Sequence, residues 1–384
     1  MGNTKTEKIY SIMMLILVTA IITFMITAIG MYNYFVRMSD DTEAIAKKLE
    51  IVKKELEEYY IGDIDTESMT ENAIKGYVAG LNDDYSEYLT KEEYEELLIS
   101  VTGDYVGIGI YMTQDIEGNI IVVSPIIGSP AEEAGLQSGD IIVTINGENC
   151  SEMDLNTAST KIKGKEWTTV ELEILREKET FTKTVERRTV EIQDSRSEIL
   201  QGNIGYIELT TFDEGCADKV EQYLLEFQNK GINSVIIDLR DNTGGVVTEA
   251  IDFAELFIKR GDIIMRTYNK AENETITKSN NTKPVDMEIV ILVNEYSASA
   301  TEIVTAALKD NEVATIVGTT TYGKGVMQEV MPLFDGALKV TTEEFKTPNG
   351  NEINGIGIMP DEIVEDNVDT EEDEQLQKAI EILK

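Results

Sequence analysis

Histidine is absent from all 384 residues, which removes Ser-His-Asp and Cys-His catalytic sites and any imidazole-bound zinc or haem. A catalytic base in this chain must be lysine, aspartate, glutamate or tyrosine. Basic residues are scarce as well: 33 Lys and Arg stand against 72 Asp and Glu, a formal net charge of −39. Nucleic-acid binding rests on Lys and Arg neutralising phosphates, so DNA and RNA are not expected partners. Cysteine is limited to Cys150 and Cys216, which allow one disulfide at most and form no C-x-x-C metal or redox pair. Both read as small buried side chains. The calcium-loop pattern D-x-[DN]-x-[DN]-G does not occur, and neither a metal nor a cofactor is expected.

What is present divides the chain. Its length suggests roughly two or three domains, and 42% hydrophobic residues supply enough apolar material for real cores. Residues 1–8 form a short N-terminus carrying Lys5 and Lys8, and the stretch from Ile9 to Phe35 carries no charge. About 20 apolar residues span a hydrocarbon core, so 9–36 is expected to be a transmembrane anchor. The chain turns acidic after Arg37, which puts the N-terminus in the cytoplasm and the rest outside the cell membrane. A cleaved signal peptide is the competing reading; the length of the apolar core and the lack of a small-x-small site favour an uncleaved anchor.

Residues 37–98 read as helices, with Ile45, Leu49, Val52, Leu56 and Tyr60 at three- and four-residue steps. Such a stripe packs within the chain or against a second subunit, which leaves a homodimer open. Leu81 to Ser86 is turn chemistry ahead of an acidic helix, Lys91 to Leu98. From Gly103 the pattern changes to short strands: Tyr105–Met112, Ile120–Val123, Ile141–Ile145 and Val170–Arg176. Between them lie a short helix capped by Ser129 and stopped by Gly135, and an Asn146-Gly147 turn. This order of motifs resembles a PDZ domain of the bacterial protease type, expected over 99–190. Such modules take up an extended peptide as an added strand, and a glycine-rich loop holds its terminal carboxylate. Gly107, Ile108 and Gly109 are the candidate loop, because residues without Cβ let backbone approach an anion.

From about Ile192 strands and helices alternate: strand Ile204–Leu209, helix Cys216–Lys230, strand Ser234–Leu239, helix Val246–Ile258, strand Glu288–Val293, helix Thr301–Lys309 and strand Val313–Val317. Apolar strands between helices indicate an α/β core with a largely parallel sheet. Functional groups in such sheets collect at the carboxyl ends of strands. Two strand-to-helix turns there carry clusters of small residues. One holds Ser297 and Ser299, and propensity alone does not choose between them. Ser299 opens the helix, where amides face any anion formed beside it. The other turn holds Gly244 and Gly245, which with the amide of Ala300 could form an oxyanion hole. Lys324, isolated between Gly323 and Gly325, is the available base. A free lysine of pKa about 10.4 is almost wholly protonated at neutral pH, so burial near the serine would have to lower it to about 7–8. Gln328 could orient the amine, and Glu302 lies one helical turn after Ser299. Alone, each has an ordinary reading: a surface serine, a surface lysine, a turn glycine pair.

The ordered set resembles the carboxyl-terminal processing proteases, or tail-specific proteases, which are membrane-anchored or exported serine peptidases with a PDZ domain. The resemblance is carried by Y-V-G-I-G-I from Tyr105, S-P-A-E-E-A-G-L-Q-S-G-D-I-I from Ser129, D-L-R-D-N-T-G-G from Asp238, S-A-S-A-T-E from Ser297, Y-G-K-G from Tyr322 with Gln328, and G-I-G-I-M-P-D from Gly355. It implies that Ser299, rather than Ser297, is the nucleophile and Lys324 the base, 25 positions on as in the family. It also implies a crotonase-like α/β peptidase core over 191–364 and a PDZ domain that admits substrates with exposed, mostly apolar C-termini. Two positions depart from the family pattern. Lys163-Gly164-Lys165-Glu166-Trp167 stands where Arg-Gly-x-x-Gly is expected, so an Arg-dependent switch between PDZ domain and active site would be altered; Tyr322 stands where Phe is commoner.

The expectation is therefore an α/β protein with an N-terminal transmembrane helix, a helical segment, a PDZ-like domain, a peptidase core and, at 365–384, an acidic C-terminal helix. That last helix, Glu374–Leu383, is expected to pack on the core or a second subunit. The function is a membrane-anchored extracytoplasmic serine endopeptidase. The alternatives are a membrane-tethered PDZ scaffold that no longer cuts, and an acyl-CoA enzyme on the crotonase-type fold. A scaffold has no need of the whole catalytic set, and an acyl-CoA enzyme has none of a PDZ module.

Overall fold

The computed structural model of the protein describes residues 42–102, 104–115, 118–126, 128–191, 194–365 and 372–384. The expected membrane segment 9–36 lies outside them, and no helix among the described residues is long and apolar enough to cross a membrane. The chain divides into one unit up to Ala73 and another from Ile74 to Lys384. In the first, α1 (42–59) and the start of α2 (Thr66–Ala79) carry the predicted apolar stripe. Leu49, Val52, Leu56, Ile64 and Met69 line a cavity of about 390 Å³ there.

The second unit begins, after the end of α2, with β1 (Glu87–Leu89) and α3 (Lys91–Thr102). A β-rich domain follows: β2 (Asp104–Gly107), β3 (Ile110–Gln114), β4 (Ile120–Pro125), α4 (Pro130–Glu133), β5 (Ile141–Ile145), β6 (Glu148–Asn149), α5 (Leu155–Ile162), β7 (Thr169–Arg176), β8 (Glu179–Glu186) and β9 (Arg188–Glu191). Sequence predicts one strand from Tyr105 to Met112, but the chain breaks at Ile108–Gly109. β2 pairs with β9, and β3 starts a sheet in the order β3-β4-β5-β7-β8. The break arises because Gly109 takes a φ of +77° and its carbonyl is drawn to the α4 cap, accepting from Ile126 N–H at 3.0 Å and Ser129 Oγ at 3.0 Å. Isoleucines 108, 120, 142, 145 and 174 fill the core beneath. Cys150 is buried here and Cys216 in the next domain, as expected, and both thiols are free.

The larger domain contains β10 (Ser195–Leu200), β11 (Ile204–Leu209), α6 (Cys216–Asn229), β12 (Ser234–Asp238), α7 (Val247–Glu255), β13 (Ile263–Asn269), β14 (Glu274–Lys278), β15 (Glu288–Val293), α8 (Ala300–Asp310), β16 (Ala314–Gly318), β17 (Val326–Leu333), β18 (Gly336–Lys346), β19 (Glu362–Ile363) and α9 (Glu374–Ile382). Its main sheet runs β10-β11-β12-β15-β16-β19. Only the β10–β11 pair is antiparallel. Side chains alternate between faces along each strand. Ile237 and Ile291 meet Leu224, Phe253 and Val304 of α6, α7 and α8 on one side. Ile236 and Val290 meet Ala379 of α9 on the other, so the acidic C-terminal helix does pack on the core. Every residue of α8 from Ala300 to Leu308 is buried, which fixes that helix and the turn at its start. A second sheet, β1-β18-β13-β14 with β17 beside β18, flanks the first.

Candidate active site

The turns after β12 and β15 are the two that sequence singled out, and hydrogen bonds join them. Asn294 Oδ1 accepts from Asp241 N–H at 3.0 Å, and Asn294 Nδ2 donates to Asp241 Oδ1 at 2.9 Å. Asn242, wholly buried, accepts from Thr301 Oγ1 through its side chain and through its carbonyl, both at 2.9 Å. Ser297 is equally buried and donates its hydroxyl to Leu239 O at 2.8 Å, a structural task that occupies it. Ser299 is only partly buried, with φ 57° and ψ −115° at the N-terminus of α8. Such a backbone is strained for a residue with a Cβ and persists only where its surroundings hold it.

Of the three expected oxyanion donors, Gly244 has its N–H engaged by Asn242 Oδ1 at 2.9 Å. Its contribution is space: a Cβ there, at a φ of +105°, would stand 2.8 Å from Ala298 O and 2.9 Å from Ala300 N. Among the described residues, the N–H groups of Gly245 and Ala300 have no acceptor. Ala300 lies at the positive end of the α8 dipole. Gly245 is held by Phe212, which brackets it by donating to Gly244 O at 2.9 Å and accepting from Val246 N–H at 2.7 Å.

Glu302 organises the site, and sequence placed it only by helical spacing. Its carboxylate is fully buried. One oxygen accepts from Thr321 Oγ1 at 2.6 Å and Gly323 N–H at 2.7 Å; the other accepts from Ser299 N–H at 2.9 Å and Lys324 N–H at 2.8 Å. The serine turn and the lysine loop thus hang on one side chain. Burial pushes the Glu302 carboxyl above its ordinary range, and these four donors pull it back.

The Lys324 amine is half-buried, and burial pushes it below the ordinary lysine range, with the charge of Lys339 acting the same way. Its Nζ lies 4.6 Å from the centroid of the Tyr85 ring. Among the described residues no hydrogen bond joins it to Ser299. Gln328 Nε2 donates to Thr341 Oγ1 of β18 at 3.3 Å. The site therefore gathers Ser299, Ala300, Gly244, Gly245 and Lys324 around Glu302, while the Gln328 amide is turned to the neighbouring strand.

In the β-rich domain, Gly107, Ile108 and Gly109 lead from β2 into β3, the edge strand of its sheet. A groove of about 220 Å³ there is lined by Tyr105, Ile108, Ile110, Met112, Ile126 and Ile162. Tyr105 was not singled out from sequence. Its ring lies over Gly107, where a Cβ would stand 2.5 Å from it. Its phenol lies beside the Gly109 and Ile110 amides. Near the departure at Lys163–Trp167, Arg187 is buried and donates to the carbonyls of Ile162 at 2.7 Å, Lys161 at 2.9 Å and Thr169 at 2.7 Å.

The family model for peptidase family S41 matches residues 203–364, which hold every residue of this site, and a PDZ-domain model matches 121–176. A probable CtpA-like serine protease of Staphylococcus aureus (strain MSSA476) is 36% identical over 349 residues, 90% of this chain and 70% of that protein. One from Staphylococcus saprophyticus is 33% identical over 366 residues, 94% of this chain and 74% of its own. Among solved structures, a photosystem II D1 C-terminal processing protease is 28% identical with a TM-score of 0.50, covering 86% of this chain and 90% of that one. The chain accordingly belongs to peptidase family S41, as a CtpA-like serine protease of the carboxyl-terminal processing kind.

Proposed function

We propose that the protein is a membrane-anchored, extracytoplasmic endopeptidase that takes substrate C-termini into its PDZ groove and cleaves through a Ser299–Lys324 dyad. The observation that carries the dyad is the Glu302 carboxylate, which accepts from the backbone N–H of Ser299 at 2.9 Å and of Lys324 at 2.8 Å. Residues 25 positions apart in sequence are held to one anchor, an economical way to fix the geometry that nucleophilic catalysis demands. The charge-free stretch from Ile9 to Phe35 supports the anchor.

The chemistry follows from the atoms. Ser299 Oγ adds to the scissile carbonyl carbon while its proton passes to the neutral Lys324 amine. The carbonyl oxygen becomes an oxyanion facing the N–H groups of Gly245 and Ala300. A single such donor is worth about 2.7–4 kcal/mol in the transition state. Collapse expels the leaving amine, which takes the proton from Lys324, and an ester on Ser299 remains. Water, deprotonated by the same amine, releases the second product and restores the serine.

The PDZ assignment rests on the groove beside β3 and the loop amides of Gly109 and Ile110. The photosystem II relative is a C-terminal processing protease, in keeping with this reading. The retained serine, lysine and glycine set speaks against a scaffold that no longer cuts. Incubating the full chain with unfolded substrates ending in apolar C-termini, and reading products by mass spectrometry, tests the proposal. Cleavage should be lost in Ser299→Ala and Lys324→Ala and weakened by C-terminal amidation. Turnover like that of the unaltered protein in either variant refutes the dyad, and indifference to amidation refutes the tail recognition.

A further inference from the structure

Leu81 to Ser86 reads in sequence as a turn, and the peptidase reading leaves it without a role. The structure pins it in place. Asp83 takes the Ser86 hydroxyl, and Ser86 Oγ accepts from Thr341 N–H of β18 at 3.0 Å. β1 follows immediately and pairs with β18, Leu89 opposite Ala337 and Glu87 opposite Lys339, with Lys339 Nζ 2.9 Å from Glu87 Oε1. A turn held at both ends carries one large side chain inward, that of Tyr85. Its ring centroid lies 4.6 Å from Lys324 Nζ, and its hydroxyl is in electrostatic contact with that of Tyr322. Tyr322 in turn donates its N–H to Ser297 O at 3.0 Å, in the serine turn. One ring therefore ties a segment more than two hundred residues upstream to both catalytic loops.

We infer that Tyr85 is a positioning residue for the Lys324 base: its ring seats the amine and sheds water from it, and Tyr322 holds the ring. This rests on the dyad reading above. Two opposed effects act on the amine. The face of an aromatic ring attracts a cation and so favours the protonated amine; exclusion of water favours the neutral one. Burial is the leading influence on this amine, so exclusion prevails. The other groups facing it are Lys339 of β18, which also disfavours the cation, and Glu302 of α8, Asp83 of the turn and Glu87 of β1, which favour it. Burial raises the Tyr85 hydroxyl above its ordinary range.

The test is the rate at which a fluorophosphonate phosphonylates Ser299, with loss of fluoride, across pH, in the full chain, for the unaltered protein, Tyr85→Phe, Tyr85→Ala and Lys324→Ala. Thermal unfolding checks that each is folded. Tyr85→Phe keeps the ring and should keep the acid limb of the profile. Tyr85→Ala opens the amine to water, and its acid limb should move up by about one pH unit, a roughly tenfold loss of rate on that limb. If the alanine variant does not fold, Tyr85→Leu replaces it and should shift the limb in the same direction. An unmoved or lowered limb in the folded Ala or Leu variant overturns the role of Tyr85 while leaving the dyad intact. Undiminished phosphonylation of Lys324→Ala overturns the dyad, and this inference with it.

Discussion

Gly244 faces Ser299 so closely that a Cβ built on the glycine would stand 2.9 Å from the serine Cβ. The same atom would meet Ala298 O and Ala300 N, and the glycine φ of +105° is one that side chains resist. Since the Gly244 N–H is already given to Asn242, the residue serves the site by what it lacks. Gly244→Ala should therefore push the serine turn out of place and lower kcat on the order of 100-fold, as sub-ångström to ångström displacements of a nucleophile do. Steady-state kinetics of the folded variant check this; a loss below about threefold would show that the turn accommodates the methyl.

Tyr105 makes a second prediction, about the PDZ groove. Its phenol lies beside the Gly109 and Ile110 amides that a substrate carboxylate would need. Tyr105→Phe removes the competing oxygen and keeps the ring. Peptides with a free apolar C-terminus should bind several-fold more tightly to the variant, since an amide donor left to the carboxylate adds about 0.5–1.5 kcal/mol. Their amidated forms should gain nothing. Calorimetry with the matched peptides decides it, and an equal gain for both forms would separate Tyr105 from carboxylate recognition.

A third prediction concerns pH. Asp213 and Asp194 are both buried and interact electrostatically, with Lys219 Nζ 3.1 Å from Asp194 Oδ1. Burial and the neighbouring Asp194 carboxylate push Asp213 up to about 8, while its own bonds and Lys219 hold Asp194 below the usual range. The folded protein thus keeps a proton on Asp213 that the unfolded chain releases near pH ~3.9. The stability this gives is fully present below that value and drains away as pH rises to about 8. Asp213→Asn keeps an uncharged side chain there without the titration. Its Tm should fall less than that of the unaltered protein between pH 5 and 8, and parallel Tm–pH curves would contradict the assignment.

Much of the architecture was legible because its signals are local. Five-residue apolar strands such as Ser234–Asp238, followed by turns and amphipathic helices, announce a parallel sheet. The capped helix after Ser129 and the Asn146-Gly147 turn each form where their residues predict. The second sheet was not legible. β1 is three residues long and finds its partner β18 some 250 residues away, a pairing that nothing in either segment encodes. The site divides along the same line. Ser299, Ala300 and the glycines stand at turns whose composition marks them, but Glu302 looks like any helical glutamate until four donors converge on it. Tyr85 looks like an ordinary turn residue and Tyr105 like an ordinary strand residue until the fold brings each against a functional group. The Gln328 amide, read from proximity in sequence, meets Thr341 because β17 pairs with β18 at that position.

The central claim is that the Lys324 amine makes the Ser299 hydroxyl nucleophilic. It is tested most directly by treating the full-length protein and Lys324→Ala with a fluorophosphonate near pH 8 and locating the adduct by peptide mass mapping. The account predicts a single adduct on Ser299, formed on the order of 100- to 10,000-fold more slowly in the lysine variant, the range a positioned base supplies. An adduct on another residue, or equal rates in the two proteins, would contradict it.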